Sequence, residues 1–149
     1  IPLFVKSFIE PKGGGTVIKK LAKNPDYPPV VVLKKKQVLI SVSTKDFSFI
    51  AEENLSHLYA LFAKHRVQIN LTQNAAISFS ASIDNEASKT KPLLDELGKE
   101  YKVLRNEGLQ LITIRHYNDE IVNQLTEKKE VILAQKSRHT IQVLTTAIT

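Results

Sequence analysis

Asn70, Gln73 and Asn74 stand in the stretch INLTQNAAISFS, where apolar and polar residues alternate on either side of a polar pair beside Ala75 and Ala76. Side-chain amides offer donors and acceptors but no acid-base power, so they suit holding a ligand and not moving its protons. Residues that could do chemistry elsewhere do not assemble. His57, His65, His116 and His139 lie far apart and show no paired metal-ligand spacing. Ordinary surface or half-buried roles are expected of them. The acid pairs Glu52-Glu53 and Asp95-Glu96 read as solvated helix faces, and no Gly-x-Ser-x-Gly elbow occurs. Gly13-Gly14-Gly15 is followed by no Gly-Lys-Ser/Thr and reads as a flexible connector. We therefore expect no catalytic residue, no metal ligand and no cofactor in this chain.

Composition sets the outer limits. The chain has 149 residues, 42% hydrophobic and 24% charged, which suits one ordinary soluble domain or two very small ones. No apolar run approaches the ~20 residues of a membrane helix, and no signal peptide is read at IPLFVKSF. The first residue is not Met, which suggests a piece of a longer protein. Cysteine is absent, so disulfides and thiolate chemistry are excluded, and a cytoplasmic setting is expected. Asn54-Leu-Ser and Asn70-Leu-Thr match the glycosylation tripeptide, and both are read as chance. The net charge of +6 raises the question of nucleic acid. The lysines are mostly dispersed. The runs Lys19-Lys20 and Lys34-Lys35-Lys36 flank the loop YPPV, where solvated charge is the plainer reading.

The elements that must position the amides follow from periodicity. Leu3 to Phe8 is β-prone, and residues 19–36, broken by Pro25, Pro28 and Pro29, read as a linker. Val38, Ile40 and Val42 alternate in a strand over Gln37 to Ser43, and Lys45-Asp46-Phe47-Ser48 is a loop. Leu55, Leu58, Leu61 and Phe62 then follow helical spacing up to about His65, with Glu52 and Glu53 at the positive end of the helix. Val67, Ile69 and Leu71 alternate on one face of the next strand, and Ile77, Phe79, Ala81 and Ile83 on one face of its partner. The opposite face is polar, as in an antiparallel sheet covered by helices on one side. A helix at Pro92 to Leu97 and a strand at Tyr101 to Leu104 complete β-α-β-β-α-β, the split βαβ plan.

A second, partial round follows. Leu109 to Arg115 is a strand, Asn118 caps a helix to about Lys128, and Val131 to Gln135 and Thr140 to Thr145 are strands. This round lacks a second helix and a fourth strand. Leu3 to Phe8 is expected to supply that strand, which would insert the first unit within the second.

The same plan describes the RNA-recognition fold, but that fold stacks bases on exposed aromatics of its central strands. Here those positions are Ser41, Ser43, Ser78, Ser80 and Ser82, and Phe79 falls on the apolar face. Small-ligand binding or plain packing remains. The loop Lys45 to Ser48 and the helix start after it offer backbone N–H groups that bind carboxylates. Topology brings them near the strand that carries Asn70, Gln73 and Asn74. An amino acid would suit donors on one side and amide carbonyls on the other. The plainer alternative is that Gln73 and Asn74 only satisfy backbone groups in the hairpin.

Three segments, in order, resemble one family. IPLFVKSFIEPKGGGTVI resembles the segment that leaves the catalytic domain of aspartate kinases, with Ile1-Pro2, Phe8, Pro11 and Gly15-Thr16 at matching places. VLISVSTKDFSFIAEENLSHLYALFAKHRVQINLTQNAAISFSASID resembles their first ACT domain, and LQLITIRHYND with ILAQKSRHTIQVL the second. The resemblance implies an α+β fold: two ferredoxin-like βαββαβ ACT units with antiparallel sheets, the first inserted in the second, and the second lacking its last helix. Residues 1–18 would be the completing strand and connector, 19–36 a linker, 37–107 the first unit and 108–149 the second.

The resemblance further implies the regulatory end of an enzyme that phosphorylates the side-chain carboxylate of L-aspartate with ATP. ATP and Mg would belong to an N-terminal kinase domain of the same chain; the kinase's Lys-Phe-Gly-Gly segment is absent from this sequence. A homodimer through the ACT sheets would bind an end-product amino acid, lysine or threonine, at Ser48, Glu53, Asn54, Leu55, Ile69, Asn70, Gln73, Asn74 and Ala75. Lysine-sensitive relatives often carry glycine where Glu53 stands and aspartate where Asn70 stands. Without that acid, an incoming ammonium group meets weaker Coulomb attraction. No nucleic acid and no membrane partner is expected. Two other readings are a ligand-free ACT scaffold for dimerisation and a nucleic-acid-binding split βαβ domain.

Overall fold

The computed structural model describes residues 2–18, 27–46 and 48–147. The element order is β1 (Leu3–Val5), β2 (Thr16–Ile18), β3 (Val30–Thr44), α1 (Glu52–Lys64), β4 (Ile69–Ala75), β5 (Ser78–Asp84), α2 (Ala87–Glu100), β6 (Tyr101–Arg115), α3 (Asp119–Thr126), β7 (Val131–Lys136) and β8 (Thr140–Thr146). Apart from the β1-β2 hairpin, the strands form one antiparallel sheet in the order β4-β5-β3-β6-β8-β7. The fold is the expected α+β pair of ACT units.

The insertion is real, but a different strand makes it. Leu3 does not reach the C-terminal sheet. It pairs with Ile18, in a small separate ribbon whose apolar side chains are exposed. The missing fourth strand comes from the segment read as a linker. Val30 to Lys34 pair with Arg115 to Leu111, and Gln37 to Thr44 belong to the first unit. The reason is visible in Val30-Val31-Val32-Leu33, a β-branched run that follows the two prolines and needs a ladder. β3 and β6 are therefore each shared by both units.

Both long strands bend at their midpoints. β3 shifts register between Lys34 and Gln37, where Lys36 takes a positive φ of 55°, and Gly108 does the same in β6 with φ 71°. A left-handed residue in a strand marks a bulge that redirects it, at small cost for Gly and more for Lys. The two bends are equivalent: Asn85 donates its N–H to the carbonyl of Lys36 (2.9 Å), and Ala147 to that of Gly108 (3.1 Å). Other pairings repeat in the same way. Gln37 opposes Asp84 as Leu109 opposes Thr146, and Ile69 opposes Ile83 as Val131 opposes Thr145. An internal two-fold relation thus maps the first unit onto the second.

The main core lies between the first half-sheet and its helices. Val38, Ile40, Val42, Phe79, Ala81 and Ile83 meet Leu58, Leu61 and Phe62 of α1 and Leu93 and Leu97 of α2. Phe79 takes the edges of Tyr59 and Phe62 in T-shaped contacts. α2 begins at Ala87, earlier than expected, so Pro92 is internal and not in the first turn. The earlier start puts Thr90, Leu93 and Leu97 on one buried stripe, while Pro92 stays exposed. In the second unit α3 lays Ile121, Val122 and Leu125 on Ile112, Ile114, Ile141 and Val143. Asn118 caps α3 as expected, accepting the N–H of Ile121 at 2.9 Å.

The other face of the sheet is not open. Leu39 and Leu71 of the first unit share a buried cluster with Leu109, Leu111 and Leu144 of the second. If the sheet were flat, its edge strands β4 and β7 would lie roughly 24 Å apart, at ~4.8 Å per strand. Instead Thr72, Gln73 and Asn74 line one cavity with Ala134, Gln135 and Lys136. The sheet folds over, and its two halves pack face to face.

Candidate functional site

The first group of expected site residues gathers where β3 leads into α1. Asp46 accepts the backbone N–H of Ser48 at 3.1 Å and its hydroxyl at 2.7 Å, and these bonds hold its pKa below the ordinary carboxylate value. Thr44 donates its hydroxyl to the Ser48 carbonyl at 2.8 Å, and Ile50 donates its N–H to the Ala76 carbonyl at 2.9 Å. Phe47, in the loop expected here, lies outside the described residues. Ala51 stands at the N-cap of α1 with no side-chain oxygen, and Asn54 turns back to accept its N–H at 3.0 Å. Ser48 and Glu53 are exposed, and Leu55 packs against the core.

The second group lies along β4, and a bulge sorts it onto two faces. Ile69 opposes Ile83, but Leu71 opposes Ser82, so Asn70 is the extra residue. Strict alternation would have kept Ile69 and Leu71 together. The bulge leaves Ile69 under α1 and turns Leu71 to the buried opposite face. Gln73 then opposes Ser80 and Asn74 opposes Phe79, so the two amides point to opposite sides. They do not form the hairpin hinge either: β4 runs on to Ala75, and the turn is Ala76-Ile77. Gln73 faces the cavity of about 500 Å³ shared with Gln135, its equivalent in the second unit, and with Lys136.

Asn70 sits in a polar network that the sequence did not reveal. Its Nδ2 donates to Gln37 Oε1 and to Asp84 Oδ1, both at 2.9 Å. Its Oδ1 accepts from Lys34 Nζ at 2.8 Å. Gln37, fully buried, also donates to Asp84 at 2.6 Å and accepts from Ser82 at 3.0 Å. Lys34 lies 3.4 Å from both carboxylate oxygens of Asp84. The Gln37 bond above all, then Asn70 and the Lys34 charge, hold the Asp84 pKa below its ordinary value. Periodicity marks Gln37 only as a strand residue, and charge patterning marks Lys34 as solvated loop charge. The usable signal was the β-branched run before Lys34, which makes the lysines part of a strand.

Within one chain the two groups stay apart. At ~3.4 Å per residue, β4 carries Asn70 roughly 17 Å from Ala75. Ala75 belongs with Ser48, Glu53 and Asn54 at the α1 start, and that gap is more than one free amino acid can bridge. Of the sheet positions where an RNA-recognition fold would stack bases, Ser82 is buried and Ser41, Ser43, Ser78 and Ser80 are half-buried.

No protein-family model matches the chain. In sequence it is 26% identical over 125 residues to the lysine-sensitive aspartokinase 3 of Escherichia coli K12. That match takes in 76% of this chain and 27% of that enzyme, so the chain spans about a quarter of its relative's length. It superposes on a C-terminal regulatory domain of aspartate kinase from Porphyromonas gingivalis W83 with a TM-score of 0.67 and 18% identity, covering 80% of this chain and 86% of that one. This chain is related to the C-terminal regulatory region of aspartate kinases. The same regulatory fold recurs in the E. coli aspartokinase III complex with lysine and aspartate, with a TM-score of 0.69 and 22% identity over 97% of this chain and 35% of that one. As an ACT pair, the regulatory region places its α1 start and its edge strand β4 in the first unit. Among the described residues no helix is long and apolar enough to cross a membrane, and no metal-binding cluster of His, Cys, Asp or Glu is found.

Proposed function

We propose that this chain senses a free amino acid, lysine or threonine, and gives feedback inhibition of a cytoplasmic aspartate kinase. The carrying observation is the division of the site residues. Ser48, Glu53, Asn54 and Ala75 lie at one end of β4, Ile69 and Asn70 at the other, and β4 is an edge strand with one side unpaired. Two copies joined antiparallel along β4 would bring opposite ends together. The α1 start of one copy would then face the β4 start of the second, twice over by symmetry. First-turn N–H groups would take the effector carboxylate, and Glu53 its α-ammonium. On this reading the parent enzyme transfers a phosphoryl group from ATP to the side-chain carboxylate of L-aspartate. ATP and Mg belong to its kinase domain, and no step of that chemistry is assigned to residues here. Inhibition would be a shift of population towards the dimer arrangement that binds effector better.

A second reading is a ligand-free dimerisation scaffold, which the internal use of Asn70's hydrogen bonds favours. Calorimetric titration with lysine, threonine and methionine, read with sedimentation, separates the two. Saturable heat with one of them, and a dimer tightened by it, is expected. A folded dimer that gives no heat with any of them would overturn the sensor reading.

A further inference from the structure

Asn70, Gln37, Ser82 and Asp84 form a hydrogen-bonded polar set around one carboxylate, and the internal two-fold relation shows that the fold does not require it. Their equivalents in the second unit are Ile132, Leu109, Leu144 and Thr146, and three of these belong to the apolar cluster between the half-sheets. One unit has hydrocarbon where its twin carries amides and a carboxylate. Buried amides must find partners, so retaining them in one half calls for a reason other than packing. The set is also reachable. The side chains of Lys34 and Asp84 are 42% and 41% exposed, and Asp84 lines a cavity of about 100 Å³ with Arg66, Gln68 and Thr90. The hydroxyl of Thr90, itself buried, has no hydrogen-bond partner there.

A carboxylate with one amide oxygen, Asn70 Oδ1, turned the same way is what an alkylammonium group seeks, with Coulomb attraction from the first and one short acceptor in the second. Here the ammonium is already supplied from within the chain. Lys34 reaches out of the strand segment that completes the second unit and places Nζ at 2.8 Å from Asn70 and 3.4 Å from Asp84. We propose that Lys34 is a specificity-determining residue: its ammonium fills the cation subsite beside Asn70 and Asp84, so the effector must carry an uncharged side chain. The inference rests on the sensor reading above and narrows its ligand class. An effector with a terminal ammonium would have to displace Lys34 or sit beside it as a like charge, and both are unfavourable.

The test is calorimetric titration of the full chain and of Lys34→Met, Lys34→Gln and Lys34→Arg with lysine and with threonine. Circular dichroism checks that each is folded. The unsubstituted chain is expected to bind threonine in preference to lysine. Lys34→Met and Lys34→Gln should each gain at least tenfold in lysine affinity, Lys34→Arg should gain none, and adding Asp84→Asn to Lys34→Gln should abolish the gain. A merely structural lysine would weaken folding and leave the lysine titration unchanged. If threonine binds but neither neutral variant gains lysine affinity, or if the unsubstituted chain already prefers lysine, the specificity role is overturned. If no chain, substituted or not, binds either amino acid, the sensor reading itself falls.

Discussion

Gln37 has both ends of its amide engaged by Asn70, Asp84 and Ser82 while shielded from water. Replacing it by Leu keeps the volume but takes one bond each from Asp84 and Asn70 and leaves the buried Ser82 hydroxyl without its acceptor, which costs about 1–3 kcal/mol. Urea unfolding of Gln37→Leu should show that loss. The same bonds in unit two are replaced by Leu109 and its neighbours without penalty, because there both partners are apolar. Glu96 is a second residue with a readable consequence. Lys64 first, then His65, at 2.7 and 2.6 Å, hold its pKa at about 2 against an ordinary 4.5. A depressed carboxylate pKa gives stability that is complete above pH 4.5 and is lost as pH falls towards about 2. Unfolding midpoints measured between pH 5 and 2 should fall less steeply for Glu96→Gln than for the unsubstituted chain.

At the scale of elements the single-residue bulge in β4 decides which side chains meet the second unit. Leu71 is buried among Leu109, Leu111 and Leu144, whereas Thr72 opposes Ala81 on the α1 side and stays half-exposed. Leu71→Ala should destabilise by about 2–5 kcal/mol. Thr72→Ala should change stability by less than about 0.5 kcal/mol. An unbulged strand would put Leu71 with Ile69 under α1 and Thr72 between the half-sheets, and Thr72→Ala would then cost what truncating a buried side chain costs. Chemical denaturation of the pair therefore checks the bulge itself.

The whole molecule is held by two long strands common to both units. The β1-β2 ribbon pairs only with itself in the sheet topology, while Val30 to Lys34 close the second half-sheet. A chain beginning at Tyr27 should keep nearly the full unfolding midpoint. One beginning at Gln37 should lose the second unit first, seen as a broadened or two-step transition with early loss of protection in β6 to β8. Hydrogen exchange on the two truncations distinguishes the outcomes.

The helices, the strand cores and the repeated β-α-β-β order were legible in the sequence, because 3.6- and 2-residue periodicities are local consequences of burial on one face. So was the Asn118 cap, a one-residue signature with a fixed partner three positions on. The pair of ACT units, with one inserted in the other, was legible too. What sequence could not decide was which segment closed the second sheet. Strand pairing is non-local, and although Val30–Leu33 is the richer in β-branched residues, Leu3–Val5 is β-prone as well. Nor could alternation reveal a bulge, since one unpaired residue reverses every face after it. Only the tertiary structure carried β4 on through Gln73 and Asn74, set Asn70 against Lys34, and separated Asn70 from the α1 start by the length of β4. Those relations arise from contacts between residues up to 50 positions apart, as between Lys34 and Asp84, and no local pattern encodes them.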